Sequence, residues 1–314
     1  MFTNYIKIAI RNILKRKVFS LVYILGLGIA FAVALMLSAT AVNELTYDDF
    51  HANGKNIYQL YFERHRPQQI EIGDNMPIPL APAAKSELTG IESVARIATG
   101  GAMARHGDKE LGFNITYTDP SFLQMLSFSL IKGQPGKALA QVGDVVISER
   151  TAEKLFAEAD PIGKMIEINR NGEWQNYMVS GVTENAPTNS SLTFDILMNF
   201  QNFPSYAVDK DRWNNQNHNV LVQLKDGVSP GVVEKAARSF IFKYFADDIT
   251  NLKRDGAKPD ANGQYIKLKF LPLSELHFSK LSSIGNPVSK IYPWSLLILS
   301  AFVLFIACTN FINL

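Results

Sequence analysis

The sequence predicts an α+β fold in which two transmembrane helices flank a large extracytoplasmic domain. Residues 18–42 form an uncharged apolar run, and residues 291–314 contain a second one that starts at Trp294. A helix of about 20 residues crosses the ~30 Å hydrocarbon core of a bilayer, so each run is long enough to span it. The third observation is that residues 43–290, between the runs, have the mixed polar and apolar composition of a folded domain.

The charges beside the first run predict its orientation. Residues 1–17 contain Lys7, Arg11, Lys15, Arg16 and Lys17 but no acidic residue, whereas Glu44, Asp48 and Asp49 follow the run. By the positive-inside rule, the N-terminus is cytoplasmic and residues 43–290 lie outside. A cleaved signal peptide is the alternative, because Ala39-Thr40-Ala41 has the form of a cleavage site. The apolar run is longer than the about 7 to 15 residues of a signal peptide, which favours an uncleaved anchor.

The apolar residues of the segment 1–17 follow helical spacing and predict an amphipathic helix in the cytoplasmic interface of the bilayer. They are Phe2, Tyr5, Ile6, Ala9, Ile10 and Ile13. A basic flank that only sets the topology is the alternative. In the first span, small residues spaced four apart predict the close approach of a second helix. They are Gly26, Gly28, Ala30, Ala32 and Ala34.

The second run carries Lys290, Tyr292 and Trp294 at its start, as a basic and aromatic collar at a membrane interface would. A buried core helix is the alternative, and the absence of any charge from the run speaks against it.

The order of apolar patterns and turn residues predicts two strand–helix–strand units with a β-rich segment between them. The first unit has strands at 56–64 and 92–99 and a helix that ends at Leu88. The second has strands at 219–224 and 265–271 and a helix at 230–245. We expect both units to pair in one discontinuous α/β lobe made of residues 43–100 and 219–278. Residues 101–218 then form an inserted β-rich lobe, with strands at 111–116, 145–148, 165–169 and 177–182 and a helix at 149–157.

Composition excludes several classes of protein. A net charge of +2 and a hydrophobic content of 47% indicate neither a disordered chain nor a nucleic-acid-binding surface. The single cysteine, Cys308, lies in the second apolar run, so no disulfide within residues 43–290 stabilises the domain.

The sequence contains no arrangement of residues typical of a catalytic site. His51, His65, His106, His218 and His277 lack the spacing of a helical metal site, and no G-x-S-x-G motif occurs. Residues 133–138 lack the spacing of a phosphate-binding loop and predict a turn. Asp48, Asp49 and His51 suggest an acid/base cluster, but we favour a solvated segment that follows the membrane helix. No catalytic, metal-binding or cofactor-binding residue is nominated, and the substrate-binding residues are unassigned.

Several motifs in the central part of the chain resemble a known family. Residues 143–200 contain DVVISERTAEKLF, ADPIGKMIEI and YMVSGVTENAPTNSSLTFDILMNF. This pattern is similar to the periplasmic core domain of MacB/FtsX-type ABC transporter permeases. Residues 47–58, 117–133 and 271–278 add matches in the same order. The opening KIAIRNILKRKVFSLVYILGLGIA resembles the family's elbow helix and first span, and IACTNFINL resembles its second span.

The resemblance implies a permease subunit in the inner membrane of a Gram-negative envelope, with a porter-like α/β lobe. Its partners would be a separate cytoplasmic ABC ATPase, a second permease copy, the lipid bilayer and a periplasmic or outer-membrane protein. The ATPase would drive movement of the periplasmic domain for export, lipoprotein trafficking or envelope signalling. The chain itself is then not an enzyme, needs no cofactor and binds no nucleic acid.

Two departures from the family qualify this expectation. The sequence stops at Leu314, before further spans and the segment that docks on the ATPase, so it is expected to be an N-terminal portion. It also carries no nucleotide-binding domain. A membrane-tethered binding or scaffold module is the main alternative, and a membrane-bound hydrolase is a third, which the missing catalytic residues disfavour.

The family motifs also predict local structure. Ser148 is expected to cap the helix at 149–157, whose buried face consists of Ala152, Leu155 and Phe156. Asp160-Pro161-Ile162-Gly163 predicts a turn. Leu192, Phe194 and Ile196 alternate as the buried face of a strand would.

Overall fold

The computed structural model describes residues 11, 15 and 17–312 and divides them between two compact units. The first unit contains the residues up to Tyr47 and those from Val288 onward, and the second is Asp48–Pro287. The amphipathic helix predicted for residues 1–17 falls almost wholly outside the described residues.

The helices are α1 (Lys17–Leu45), α2 (Leu80–Glu87), α3 (Phe122–Met125), α4 (Glu149–Phe156), α5 (Tyr206–Asp209), α6 (Pro230–Tyr244), α7 (Ala246–Arg254) and α8 (Ile291–Ile312). Short 3-10 helices lie at Gly54–Asn56, Phe200–Asn202 and Leu273–Phe278. The strands are β1 (Ile57–His65), β2 (Ile70–Gly73), β3 (Met76–Pro77), β4 (Ile91–His106), β5 (Lys109–Thr118), β6 (Leu130–Gly133), β7 (Asp144–Ser148), β8 (Met165–Arg170), β9 (Glu173–Thr183), β10 (Ile196–Asn199), β11 (Gln216–Leu224) and β12 (Ile266–Pro272).

The first unit is a pair of apolar helices. With 29 and 22 residues, α1 and α8 are about 43 and 33 Å long, so both are long and apolar enough to cross a membrane. Most of their large side chains are exposed, which is not the environment of the core helix that the sequence left open for the second run.

A polar contact joins the two helices of this unit. The Ser38 hydroxyl donates to Ser300 Oγ, and the Ser300 hydroxyl donates to the carbonyl oxygen of Ala34, each over 2.9 Å. Ala34 is buried there, as the small-residue spacing predicted, whereas Gly28 and Ala32 remain exposed. The small side chain at position 34 allows this close approach of α8.

The second unit is built on one hydrogen-bonded sheet with the strand order β12-β1-β11-β4-β5-β10-β7-β9-β6. Strand β1 lies between β11 and β12 and is antiparallel to both. Strand β11 also pairs with β4, so the strands of the two predicted strand–helix–strand units do share one sheet.

Six of these strands close into a ring. Strand β4 pairs with β5 and with β8, and the pairings then run from β5 through β10, β7 and β9 back to β8. Alternate side chains of the ring strands enclose one apolar core, which includes Phe113, Ile115, Val145, Ile147, Ile166 and Val179. We call the strands β12, β1, β11 and β4 the flanking sheet. Strand β4 therefore belongs both to the ring and to the flanking sheet.

Two further cores lie on either side of the flanking sheet. One is formed by β1, β11 and β12 with α2, α6 and α7, and contains Phe62, Phe240 and Phe245. The other contains Phe122, Phe128, Leu192 and Ile284. The second unit thus combines a helix-covered sheet with a ring of β-strands. In the sequence, the apolar helices α1 and α8 precede and follow this unit.

The local predictions around α4 are confirmed, and one strand is corrected. The backbone N–H of Thr151 donates to Ser148 Oγ over 3.3 Å, which caps α4, and Leu155 and Phe156 are buried, whereas Ala152 of the predicted buried face is only half-buried. The segment with Leu192, Phe194 and Ile196 is not one long alternating strand. Strand β10 begins only at Ile196, and all four of its residues are buried because apolar cores cover both of its faces.

Candidate functional site

The two ends of the domain unit meet on one internal segment. We call residues 48–52 the incoming segment, because they follow α1, and residues 279–287 the outgoing segment, because they precede α8. Both contact the segment Asn189–Leu192, which lies in the family-like motif TNSSL. We call this meeting point the junction.

Asp48 holds the incoming segment in the junction. Its backbone N–H donates to the carbonyl oxygen of Asn189 over 2.9 Å, and its Oδ1 accepts from the backbone N–H of Ser191 over 2.8 Å. Its φ is +59°, a left-handed conformation that Asp tolerates better than most residues. Asp48 is 3% exposed, and this burial raises the pKa of its carboxyl above 3.8, although the hydrogen bond from Ser191 and the nearby His277 oppose the shift.

His51 forms a second link from the incoming segment. Its Nδ1 accepts from the backbone N–H of Ser127 over 3.0 Å, and the N–H of Ala52 donates to Ser127 Oγ over 2.8 Å. Burial lowers the pKa of His51 to about 4, so the ring is neutral and Nδ1 remains an acceptor. Its role here is structural, since the nitrogen is occupied by a backbone amide.

The prediction that Asp48, Asp49 and His51 form a solvated segment is therefore wrong for two of the three residues. Asp48 and His51 are 3% and 4% exposed, and only Asp49 is exposed to solvent. The reason is tertiary, because the partners of both buried side chains lie far along the chain, at Ser127 and Ser191.

Aromatic side chains surround this end of the junction. The ring of Phe128 lies 5.9 Å from Phe50, 5.2 Å from His51 and 5.1 Å from Phe194, in edge-on geometries. Phe122 stacks on Phe128 at 5.7 Å. These ring contacts pack the incoming segment against the apolar core that contains Phe122, Phe128 and Phe194.

The outgoing segment packs against the same motif. Ile284 is 7% exposed and belongs to the apolar core that contains Leu192, and its backbone N–H donates to Ser282 Oγ over 3.0 Å. Gly285 follows with a φ of +72°, and a Cβ at this position would lie 3.3 Å from the carbonyl oxygen of Ser191. Both features favour glycine at this position.

Asp74 makes a second connection between the chain segments that lead to and from the domain. Its Oδ2 accepts from Gln59 Nε2 on β1 over 3.0 Å and from Asn219 Nδ2 on β11 over 2.9 Å. It also accepts from the backbone N–H and the hydroxyl of Ser283, over 2.6 and 2.7 Å. We call these four residues the Asp74 clasp. A cleft of about 130 Å³ lies beside it and is lined partly by Asn219, Ser283 and Ser191.

The remaining histidines lie in separate places. His106 Nδ1 contacts the carbonyl oxygen of Met165 in the ring, and His218 is buried beside Phe200, whose ring centroid is 4.9 Å away. Burial, with a smaller contribution from Arg96, lowers the pKa of His218 to about 3. Across the described part of the chain, no three His, Cys, Asp or Glu side chains are placed to hold a metal ion. Residues 135–139 form a turn, so the turn predicted for 133–138 is confirmed except at Gly133, which is the last residue of β6.

The sequence did not indicate the Asp74 clasp. Gln59, Asp74, Asn219 and Ser283 are spread over the chain without any motif spacing, and only tertiary pairing brings them together.

Comparison with known proteins identifies a matching family and similar solved structures for most of the chain. The family model described as MacB-like periplasmic core domain matches residues 20–240, more than half of the chain. A domain of a protein assigned as a permease from Porphyromonas gingivalis is 22% identical with a TM-score of 0.60, over 71% of this chain and 91% of that one. This likeness shows a shared fold.

Two more solved structures are similar at a lower level. The extracellular domain of the noncanonic ABC-type transporter YknZ from Gram-positive bacteria is 16% identical, with a TM-score of 0.44 over 68% of this chain and 99% of that one. The periplasmic region of MacB from Actinobacillus actinomycetemcomitans is 15% identical, with a TM-score of 0.44 over 65% and 95%. The comparison with curated proteins found no match.

Proposed function

This chain belongs to the family of ABC transporter permeases that carry a MacB-like periplasmic core domain, and from that premise we propose that it couples a cytoplasmic ATPase to its periplasmic domain. ATP would be hydrolysed on a separate subunit, and the two membrane helices would pass the resulting movement to residues 48–287. The work of this chain is then mechanical, and its residues bind and position rather than catalyse.

The junction is the observation that carries this proposal. Both chain connections of the domain unit end on the segment Asn189–Leu192, through Asp48 on one side and Gly285 on the other. A tether needs only one such attachment. Because both chain connections are attached at one place, movement of the two helices would displace the domain at that place.

We further propose that the N-terminus is cytoplasmic and that residues 48–287 are periplasmic. The basic residues before α1 and the acidic residues after it support this orientation. Protease added to spheroplasts should then digest the domain and spare an epitope placed before Lys17. Protection of the domain in intact spheroplasts, with digestion after lysis, would reverse the orientation.

The division of the domain into lobes is also a proposal. We assign residues 43–100 and 219–278 to a porter-like lobe and 101–218 to an inserted lobe, and the closed strand ring supports the second assignment. We expect a second permease copy and a periplasmic or outer-membrane protein as partners. Lipoproteins, peptides or drugs are the cargo classes that such permeases would move.

Co-purification tests the coupling function. The reading frame that encodes this chain is expressed with the candidate ATPase, and the membrane complex is isolated through a tag on the permease. The expected result is an ATPase that co-purifies and whose hydrolysis rate changes when the permease is present in nanodiscs. A permease that never retains the ATPase would instead indicate a membrane-tethered binding module.

A further inference from the structure

We propose that Asp74 is a positioning residue that fixes strand β1 and the outgoing segment to each other, so that both membrane helices act on the domain through one joint. The inference rests on the proposed function, because it names the residue through which the coupling movement would pass. Nothing in the sequence motifs assigns a role to this carboxylate.

The geometry of the clasp supports a joint. Gln59 lies on the strand that follows the incoming segment, and Ser283 lies in the segment that leads to α8. Both donate to the same oxygen of Asp74, over 3.0 Å and 2.6 Å. The side chain of Asn219 donates to that oxygen as well, which ties the joint to the centre of the flanking sheet.

The chemistry of the clasp makes it stiff. Asp74 is 8% exposed and forms no salt bridge with any described residue, so neutral donors alone stabilise its carboxylate. If the outgoing segment moved away, the carboxylate would lose both donors of Ser283 at once. A buried charge that loses its hydrogen-bond partners is unfavourable, so the joint resists opening and transmits displacement instead.

The junction supports the same conclusion independently. Gly285, two residues after Ser283, packs on the backbone of Ser191, which also binds Asp48. The outgoing segment is thus bound at two places, to Asp74 through Ser283 and against Ser191 at Gly285. Movement of the outgoing segment away from the domain would break contacts at both.

The test uses hydrogen exchange on the full chain with its ATPase in nanodiscs, without nucleotide and with ATP plus vanadate. Asp74→Ala removes the joint, and Asp160→Ala is the matched control, because Asp160 is an exposed carboxylate paired with Lys132 elsewhere in the domain. Without nucleotide, Asp74→Ala should make the amide of Ser283 exchange about 10- to 100-fold faster, the loss expected for a hydrogen bond to a charged group. The control should exchange as wild type does.

The coupling readout separates this role from a purely structural one. In wild type, ATP plus vanadate should change exchange in β1 and β4. In Asp74→Ala that response should be lost while the ATPase still co-purifies and hydrolyses ATP. If Asp74→Ala does not fold, Ser283→Ala, which keeps the backbone donor, and Asn219→Ala provide the same measurement with smaller expected effects.

Each outcome is decisive. A nucleotide response that persists in the folded Asp74 variant, or a Ser283 amide that exchanges at the wild-type rate, would overturn the role of Asp74 and leave the proposed function intact. A wild-type complex that shows no nucleotide response in the domain would overturn the proposed function, and the coupling role of Asp74 with it.

Discussion

Substitution of Asp48 tests whether the incoming segment is a folded part of the domain. The carboxylate accepts one hydrogen bond, from the backbone N–H of Ser191, and its other oxygen has no partner among the described residues. Asp48→Ala removes the acceptor and leaves a buried N–H unpaired. Asp48→Asn keeps an acceptor of the same shape and removes the buried charge.

The two substitutions should change the free energy of unfolding by different amounts, or in opposite directions. An unpaired buried donor costs ~1–3 kcal/mol, so Asp48→Ala should have a free energy of unfolding lower by that amount than Asp48→Asn, which loses the same buried charge. The raised pKa of Asp48 shows that the folded state binds a proton more tightly than the unfolded state. The charged form therefore weakens the fold at neutral pH, and this penalty fades as the pH falls toward 3.8. Asp48→Asn should accordingly be within ~1 kcal/mol of wild type at pH 7, or more stable.

The measurement is urea unfolding of the full chain in detergent micelles, followed by tryptophan fluorescence, to which Trp174 and Trp213 of the domain contribute. Asp49→Ala is the control, because the neighbouring side chain is exposed and its loss should change the free energy of unfolding by less than ~0.5 kcal/mol. If Asp48→Ala is as stable as Asp48→Asn, the hydrogen bond at the junction does not contribute to stability. The reasoning about a buried incoming segment would then be refuted.

Three further substitutions test other parts of the domain by the same assay. The pKa of His218 is about 3, below its ordinary 6.5, so the unfolded state takes up a proton first as the pH falls. The free energy of unfolding should therefore decrease between pH 6.5 and pH 3, by up to ~5 kcal/mol. A His218→Gln variant should show a smaller decrease, and an unchanged decrease would contradict this assignment. Gly285→Ala should lower the free energy of unfolding by ~1–2 kcal/mol. Gly227→Ala should lower it less, because Gly227 also has a positive φ but has open space where a Cβ would lie. Equal losses would exclude a close contact of position 285 with Ser191. Ser148→Ala should cost ~1 kcal/mol through loss of the α4 cap, and retention of full stability would argue against that cap.

The parts of the fold that the sequence predicted depend on local patterns. Uncharged length predicted α1 and α8, and cap and turn chemistry predicted α4 with Ser148 at its start. The end of β4 was missed because Gly100 and Gly101 look like a break. In the structure they continue the strand and pair with Ile115 and Asn114.

The parts that could not be predicted depend on contacts between distant residues. Asp48 and His51 have polar side chains and follow a membrane helix, so a local reading places them in solvent. Their burial follows from Ser191 and Ser127, which no periodicity connects to them. The same holds for Asp74, whose donors come from three remote segments.

The sharing of β4 between the strand ring and the flanking sheet limits how relatives of this protein can be recombined. A chimera with a border near residue 100 would cut a hydrogen-bonded strand in the middle, between its pairing with β11 and its pairing with β8. Transplanting the ring alone would remove β4 from the flanking sheet and leave β11 without its partner on that side. Exchange between family members should therefore succeed only when the whole of residues 48–287 is swapped as a cassette.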